Sequence, residues 1–231
     1  MKMKISNGRI LLVITMFMFL LSSCSSKGNE LEQLKKPKIG EEIAVVKTNL
    51  GIIKIRLFPE IAPKAVENFK TLAKEGYYNN ETFYRVREDS FIMAVDSTEK
   101  DNYLESIWGE PFEDEFDLEY CHFRGAVSMA NRGPDTNESS FFIVKREYVD
   151  NEIIDIMKEL GEDEGFYDNV VNSYKKLGGL YELDLQHTVF GQVFYGIETV
   201  DKISKVKVDF NFKPIEPVII ETIEIVPYEG E

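Results

Sequence analysis

Eight short apolar-rich runs, each four to nine residues long and each closed by Gly, Pro, Asn or charged residues, restrict this chain to a fold of many short strands. Residues 43–47 and 53–57 flank the turn Thr48-Asn49-Leu50-Gly51 and read as a β-hairpin. Further runs follow at 83–86, 91–95, 126–129, 141–144, 188–194 and 218–226. Many strands with few helices point to a barrel or a sandwich.

Helical spacing breaks this pattern in three places. After Pro59 and Pro63, the apolar residues Ala62, Val66, Phe69 and Ala73 recur on one helical face until Gly76 ends the segment. Between Lys145 and Tyr181 two more helices are predicted. Ile153, Ile154, Met157 and Leu160 share one face, Phe166, Val170, Tyr174 and Leu177 another, and Gly161 and Gly178-Gly179 punctuate them. A short helix at 197–203 precedes Pro214, Pro217 and the final strand.

The N-terminus is a targeting segment. Lys2, Lys4 and Arg9 precede an apolar run over residues 10–21 that is about half the ~20 residues needed to span a bilayer. That order is the order of a secretory signal peptide. The following Leu21-Ser22-Ser23-Cys24 resembles the lipobox of bacterial lipoproteins, which makes residues 1–23 a cleaved signal and Cys24 the lipidated, palmitate-bearing first residue of the mature chain. Residues 24–40 are polar, lack periodicity and read as a tether. Residues 41–228 form one domain. The localisation expected is extracytoplasmic, anchored in the bacterial cell membrane through lipid on Cys24.

The formal charge of −14 becomes −17 without Lys2, Lys4 and Arg9. Such an acidic chain is a poor match for nucleic acid, whose binding rests on Lys and Arg at phosphates. With Cys24 committed to lipid, Cys121 has no disulfide partner and reads as a packed thiol. Two histidines and one free cysteine argue against a zinc site, and no other metal or cofactor is implied.

Several segments, in order along residues 41–226, resemble the cyclophilin family of peptidyl-prolyl cis/trans isomerases. They are Phe83-Tyr84-Arg85-Val86 with Phe91, residues 109–115 (GEPFEDE), residues 128–137 (SMANRGPDTN) running into Ser139-Ser140-Phe141-Phe142-Ile143, and residues 187–191 (HTVFG). The resemblance implies a mainly β fold, a closed eight-stranded antiparallel barrel capped by two helices. The helical stretch at about 146–181 resembles an insertion found in some bacterial members and reads as a decoration without chemistry.

The resemblance also implies chemistry without nucleophile, metal or cofactor, because rotation about an X-Pro bond breaks nothing covalent. Amide resonance sets a barrier of ~18–20 kcal/mol, and a catalyst lowers it by stabilising the twisted amide. By resemblance Arg85 does this, donating to the prolyl nitrogen as its lone pair emerges. Phe91, Ile92 (or its neighbour Met93), Phe142 and Leu183 form the apolar floor under the proline ring. Ala130 and Asn131 supply backbone to the residue before proline, and His187 lines the groove. His122 matches no groove residue and reads as structural or exposed.

Three groove positions depart from the family. Its first glutamine is Ala94 or Met93, its second is Ser140, and its tryptophan is Glu182. The step from Arg85 to Phe91 is one residue longer than usual, with Glu88 and Asp89 in the turn. The expected partners are proline-containing polypeptides and the membrane, and the domain reads as a monomer. The function expected is isomerisation of X-Pro bonds in secreted or surface proteins, assisting their folding. The alternative is a catalytically weak peptide-binding or chaperone module on the same fold. A solute-binding lipoprotein would show a two-domain α/β pattern that this sequence lacks.

Overall fold

The computed structural model describes residues 30–95 and 106–230. The signal peptide and Cys24 lie outside the described residues.

Eight strands form one antiparallel sheet: β1 (Glu42–Thr48), β2 (Gly51–Leu57), β3 (Phe83–Arg87), β4 (Phe91–Ala94), β5 (Ala126–Met129), β6 (Phe141–Val144), β7 (Val189–Tyr195) and β8 (Ile220–Pro227). Their order is β3-β4-β6-β5-β7-β2-β1-β8. The expected closed barrel is corrected to a curled half-barrel. The edge strands β3 and β8 share no ladder and meet at a bridge between Thr82 and Ile219, just outside both of them. Hydrogen bonds from Phe83 N–H to Val218 O (2.9 Å) and from Ile220 N–H to Glu81 O (2.8 Å) flank it. Beyond Phe83 a loop carbonyl takes the place of a β8 partner, Phe212 O accepting from Val86 N–H at 2.8 Å.

Helix α1 (Pro63–Lys74) begins with proline at its first position, where no backbone donor is lost. Glu115 places one oxygen on Lys64 N–H and the other on Ala65 N–H, both at 3.0 Å, satisfying two of the donors orphaned at the helix start. The buried face of α1 carries Val66, Phe69 and Ala73, as the spacing predicts. Phe69 meets Tyr78 and Phe141, each at 5.4 Å, and Phe190 at 5.2 Å. Helix α4 (Ile197–Ser204) lays Val200 and Ile203 on the same core.

Helices α2 (Asn151–Leu160) and α3 (Asp168–Leu177) build a second apolar cluster. It contains Ile154, Met157, Val170, Val171, Tyr174, Cys121 and Phe123. Leu160, expected on the buried face of α2, is 49% exposed because it is the last helical residue and lies outside this cluster. The chain then returns to the sheet so closely that only glycine fits. A Cβ on Gly179, whose φ is +142°, would lie 2.3 Å from His122 O, and one on Gly178 would meet the backbone of Glu147 at the same distance.

Part of the stretch read as a tether is fixed to the domain. Leu31 joins the second cluster, and the buried Gln33 side chain pairs with both backbone groups of Cys121 at 2.8 Å. Arg56 holds Glu32 O at 2.7 Å and Glu41 Oε1 at 2.8 Å. A polar segment without periodicity can dock in this way when its contacts are made to distant residues rather than along itself.

Candidate active site

Arg85, Phe91, Met93 and Phe142 lie on strands whose side chains alternate between the two faces of the sheet. In β4, Ile92 and Ala94 are fully buried in the main core, while Phe91 and Met93 pack with Phe142 and Leu183 on the outer face. Ile92, expected in the floor, lies in the main core, while its alternative Met93 shares the outer face with Phe91. The register pairs Arg87 with Phe91 and Arg85 with Met93 around a turn of Glu88, Asp89 and Ser90. A register shift between Phe83 and Arg85 lets Phe83 and Val86 both enter the core while Arg85 stays outside and half-buried. Re-aiming a side chain is what such bulges do.

Continuing the register, Met93 faces Phe142 on β6 and Phe142 faces Ser128 on β5. Arg85, Met93, Phe142 and Ser128 thus form one row across four strands. The Arg85 guanidinium carbon stands 5.9 Å from the Phe91 ring centre, and Phe91 stands 5.6 Å from Phe142. Among the described residues Arg85 has no hydrogen bond or ion pair, and its planar set of donors stands beside the Phe91 ring.

His187 meets Phe142 edge-on at 5.4 Å and 90°. Its Nδ1 lies 3.1 Å from Met129 O, an atom that can only accept, so Nδ1 carries the hydrogen. Burial first, and the neighbouring His122 second, push the His187 pKa below the ordinary histidine value. The ring is neutral at neutral pH.

Asn131 donates to Gln186 O at 2.8 Å, so its side chain is committed to holding the loop. Its own backbone enters no backbone hydrogen bond among the described residues. Asp114 organises the same loop by accepting from Asn137 Nδ2 (2.8 Å) and Asp135 N–H (2.9 Å). Ala130 borders the Phe142 cluster and donates its N–H to Ser140 O at 2.9 Å. Leu183, on a 3-10 turn at Tyr181–Leu183, closes the other side.

Ser140 and Glu182 have defined partners. Ser140 Oγ donates to Ala94 O (2.8 Å) and lies 3.3 Å from Val95 O, tying down a β-branched residue with φ of +69°. Glu182 accepts from Arg146 at 2.7 Å, and Arg146 also reaches Asp89 O at 3.4 Å. A cavity of about 740 Å³ opens beside this ion pair and shares Phe91 and Leu183 with the groove.

His122, read from the sequence as structural or exposed, is structural. It is 1% exposed, its Nδ1 lies 2.8 Å from Asp184 and its Nε2 3.0 Å from Ser128 Oγ, and its ring stacks on Phe142 at 5.9 Å and 12°. No local spacing announces these partners, because Asp184 is 62 residues away. Cys121 is a buried, unbridged thiol whose pKa is driven well up by burial.

An outward basic residue, Arg85, stands beside the aromatic side chains Phe91 and Phe142 on a curled antiparallel sheet. The family model "Cyclophilin type peptidyl-prolyl cis-trans isomerase/CLD" matches residues 43–225, and the chain belongs to that family. A Staphylococcus saprophyticus protein provisionally named peptidyl-prolyl cis-trans isomerase is 45% identical over 195 residues, covering 84% of this chain and 97% of its own length. A Staphylococcus aureus protein with the same provisional name is 44% identical over 191 residues, with coverages of 83% and 95%. The crystal structure of a Cryptosporidium parvum cyclophilin type peptidyl-prolyl cis-trans isomerase, determined in the presence of the dipeptide Ala-Pro, superposes with a TM-score of 0.62 at 29% identity. It covers 80% of this chain and 99% of that one. The activity is accordingly cis/trans isomerisation of X-Pro bonds.

Proposed function

We propose that this isomerase acts on proline-containing polypeptides outside the cell membrane, with Arg85 as its catalytic residue and lipid on Cys24 as its anchor. The observation that carries the catalytic assignment is the Arg85 guanidinium beside Phe91, without a hydrogen bond or ion pair among the described residues, at one end of the row that continues through Met93 and Phe142. A proline ring held over Phe91, Met93, Phe142 and Leu183 presents its nitrogen toward Arg85. In the planar amide that nitrogen is a weak acceptor; in the twisted state its lone pair is localised, and the hydrogen bond from Arg85 strengthens. Only such a difference between barrier and ground state accelerates the step. Neutral His187 and the Asn131 backbone orient the peptide beside it.

The reduced groove supports a second reading, in which binding outlasts a modest rate. The Ser140 hydroxyl is turned to backbone, and the carboxylate of Glu182 is held by Arg146. A protease-coupled assay on an X-Pro peptide, run beside calorimetric titration of the same peptide, separates the two. Turnover above the uncatalysed rate of tens to hundreds of seconds supports the enzyme; binding without turnover supports the module.

The anchor rests on the sequence before Cys24. Several acyl chains at about 0.8 kcal/mol per buried CH₂ give stable attachment. Cys24→Ala is expected to leave unprocessed precursor or to release soluble protein, and a variant that fractionates as the parent does overturns the anchor.

A further inference from the structure

We propose that His122 is a positioning residue for the proline pocket, and that Asp184 and Tyr174 link it to α3, so that the helical segment sets the pocket's shape as well as covering the sheet. This rests on Phe142 being the floor of that pocket, as read above. The link is continuous. Tyr174 Oη, on α3, donates to Asp184 Oδ2 at 2.5 Å. Burial, and then the Asp184 charge, push the Tyr174 pKa well up, so the hydroxyl stays a donor. Asp184 Oδ1 accepts both the backbone N–H and the Nδ1 of His122, each at 2.8 Å.

At the other side of the ring, Nε2 lies 3.0 Å from Ser128 Oγ, which also lies 2.9 Å from Thr188 O. Pinned at both nitrogens, the imidazole has one orientation, and that orientation is parallel to the Phe142 ring. Ser128 belongs to the same transverse row as Arg85, Met93 and Phe142. Gly179 and the hydrogen bond from Leu180 N–H to His122 O (2.8 Å) bring the end of the helical segment against His122 without slack.

The set Ser128, His122 and Asp184 has the order of a nucleophilic triad, but acyl transfer is not its role. Ser128 is fully buried, and no substrate atom can reach its oxygen. What the array can do is fix an aromatic plane. A floor that tilts loses contact with the proline ring, and that loss appears in binding more than in the chemical step.

The test uses the purified full chain and an X-Pro peptide. Kd is measured by calorimetry, kcat and KM by the isomerase assay, and the Phe142 and His187 ring resonances by NMR. Tyr174→Phe removes one hydroxyl and no volume. It is expected to raise Kd and KM about threefold to tenfold while kcat changes less than about twofold, with shifted Phe142 and His187 resonances. His122→Leu should do more, and His122→Gln, which keeps a donor, should recover part of the loss. Lys158→Ala, on the exposed side of α2, should leave every readout unchanged.

Parental Kd and parental Phe142 resonances in Tyr174→Phe and His122→Leu would overturn the proposal and leave the helical segment a cover only. If His122→Leu does not fold, Tyr174→Phe decides alone. A parent that binds no X-Pro peptide overturns the pocket reading, and this proposal with it; a parent that binds, with variants that bind equally well, overturns this proposal alone.

Discussion

Phe141 and Phe142 are consecutive residues of one strand, of one residue type and almost equally buried at 0% and 2% exposure, yet they belong to different parts of the molecule. Phe141 points inward and meets Phe69, Tyr78 and Phe83 at 5.4, 5.6 and 6.5 Å. Phe142 points outward and meets Phe91, His187 and His122 at 5.6, 5.4 and 5.9 Å. Burial alone therefore does not distinguish core from site. The difference lies in the neighbours: carbon rings around Phe141, and two imidazoles beside the Phe91 ring, with Arg85 two strands away, around Phe142.

The largest test of this contrast is Phe141→Ala. Removing a ring from the inner face should cost about 3–5 kcal/mol, read as a lowered denaturation midpoint, with kcat/KM per folded molecule kept. A large loss of kcat/KM in the folded fraction would show that the two faces are not separate. Arg85→Ala is the converse. Its midpoint should stay near the parent's while kcat/KM falls roughly tenfold to a thousandfold, at 1.36 kcal/mol per tenfold. Arg85→Lys should recover little, because an ammonium lacks the planar fork. A folded Arg85→Ala with the parent's rate would remove Arg85 from the mechanism.

A smaller effect is expected on lowering the pH. The folded-state pKa of His187 lies below its ordinary value of 6.5, so the unfolded chain takes up a proton first. The stability His187 contributes is fully present above about 6.5 and declines as pH falls from there toward the lowered folded value. His187→Gln should flatten that part of the stability curve. A curve with unchanged slope would assign the acid sensitivity to other groups. Smallest of all should be Arg146→Ala at the groove rim. Arg146 and Glu182 are both partly exposed, and such pairs contribute about 0.2–1 kcal/mol. A larger shift in midpoint would mean that the rim supports the fold.

The strands and helices were legible because alternation and helical spacing are local. Val66, Phe69 and Ala73 mark the buried face of α1, and Gly178-Gly179 mark the return after α3. Alternation from Phe91 also contained the answer at β4, since Met93 shares the face of Phe91 and Ile92 cannot; the longer turn before it obscured the choice. Motif order placed Arg85, Phe142 and His187 near one another. What stayed hidden depends on distant partners: Gln33 against Cys121, 88 residues apart, and Tyr174, Asp184 and His122, whose meeting is set by how the helical segment folds back. The failure of the sheet to close was hidden for the same reason, since the loop at Phe212 competes with β8 for the edge of β3.

The transverse row from Arg85 through Met93 to Phe142 also acts as a ruler. Two gaps between neighbouring strands, at about 4.8 Å each, make it about 10 Å long. An extended peptide advances about 3.4 Å per residue, so a chain laid along the row exposes roughly three residues to it. Sequence preference should fade beyond that window, and a client protein need offer only one short extended stretch around its proline.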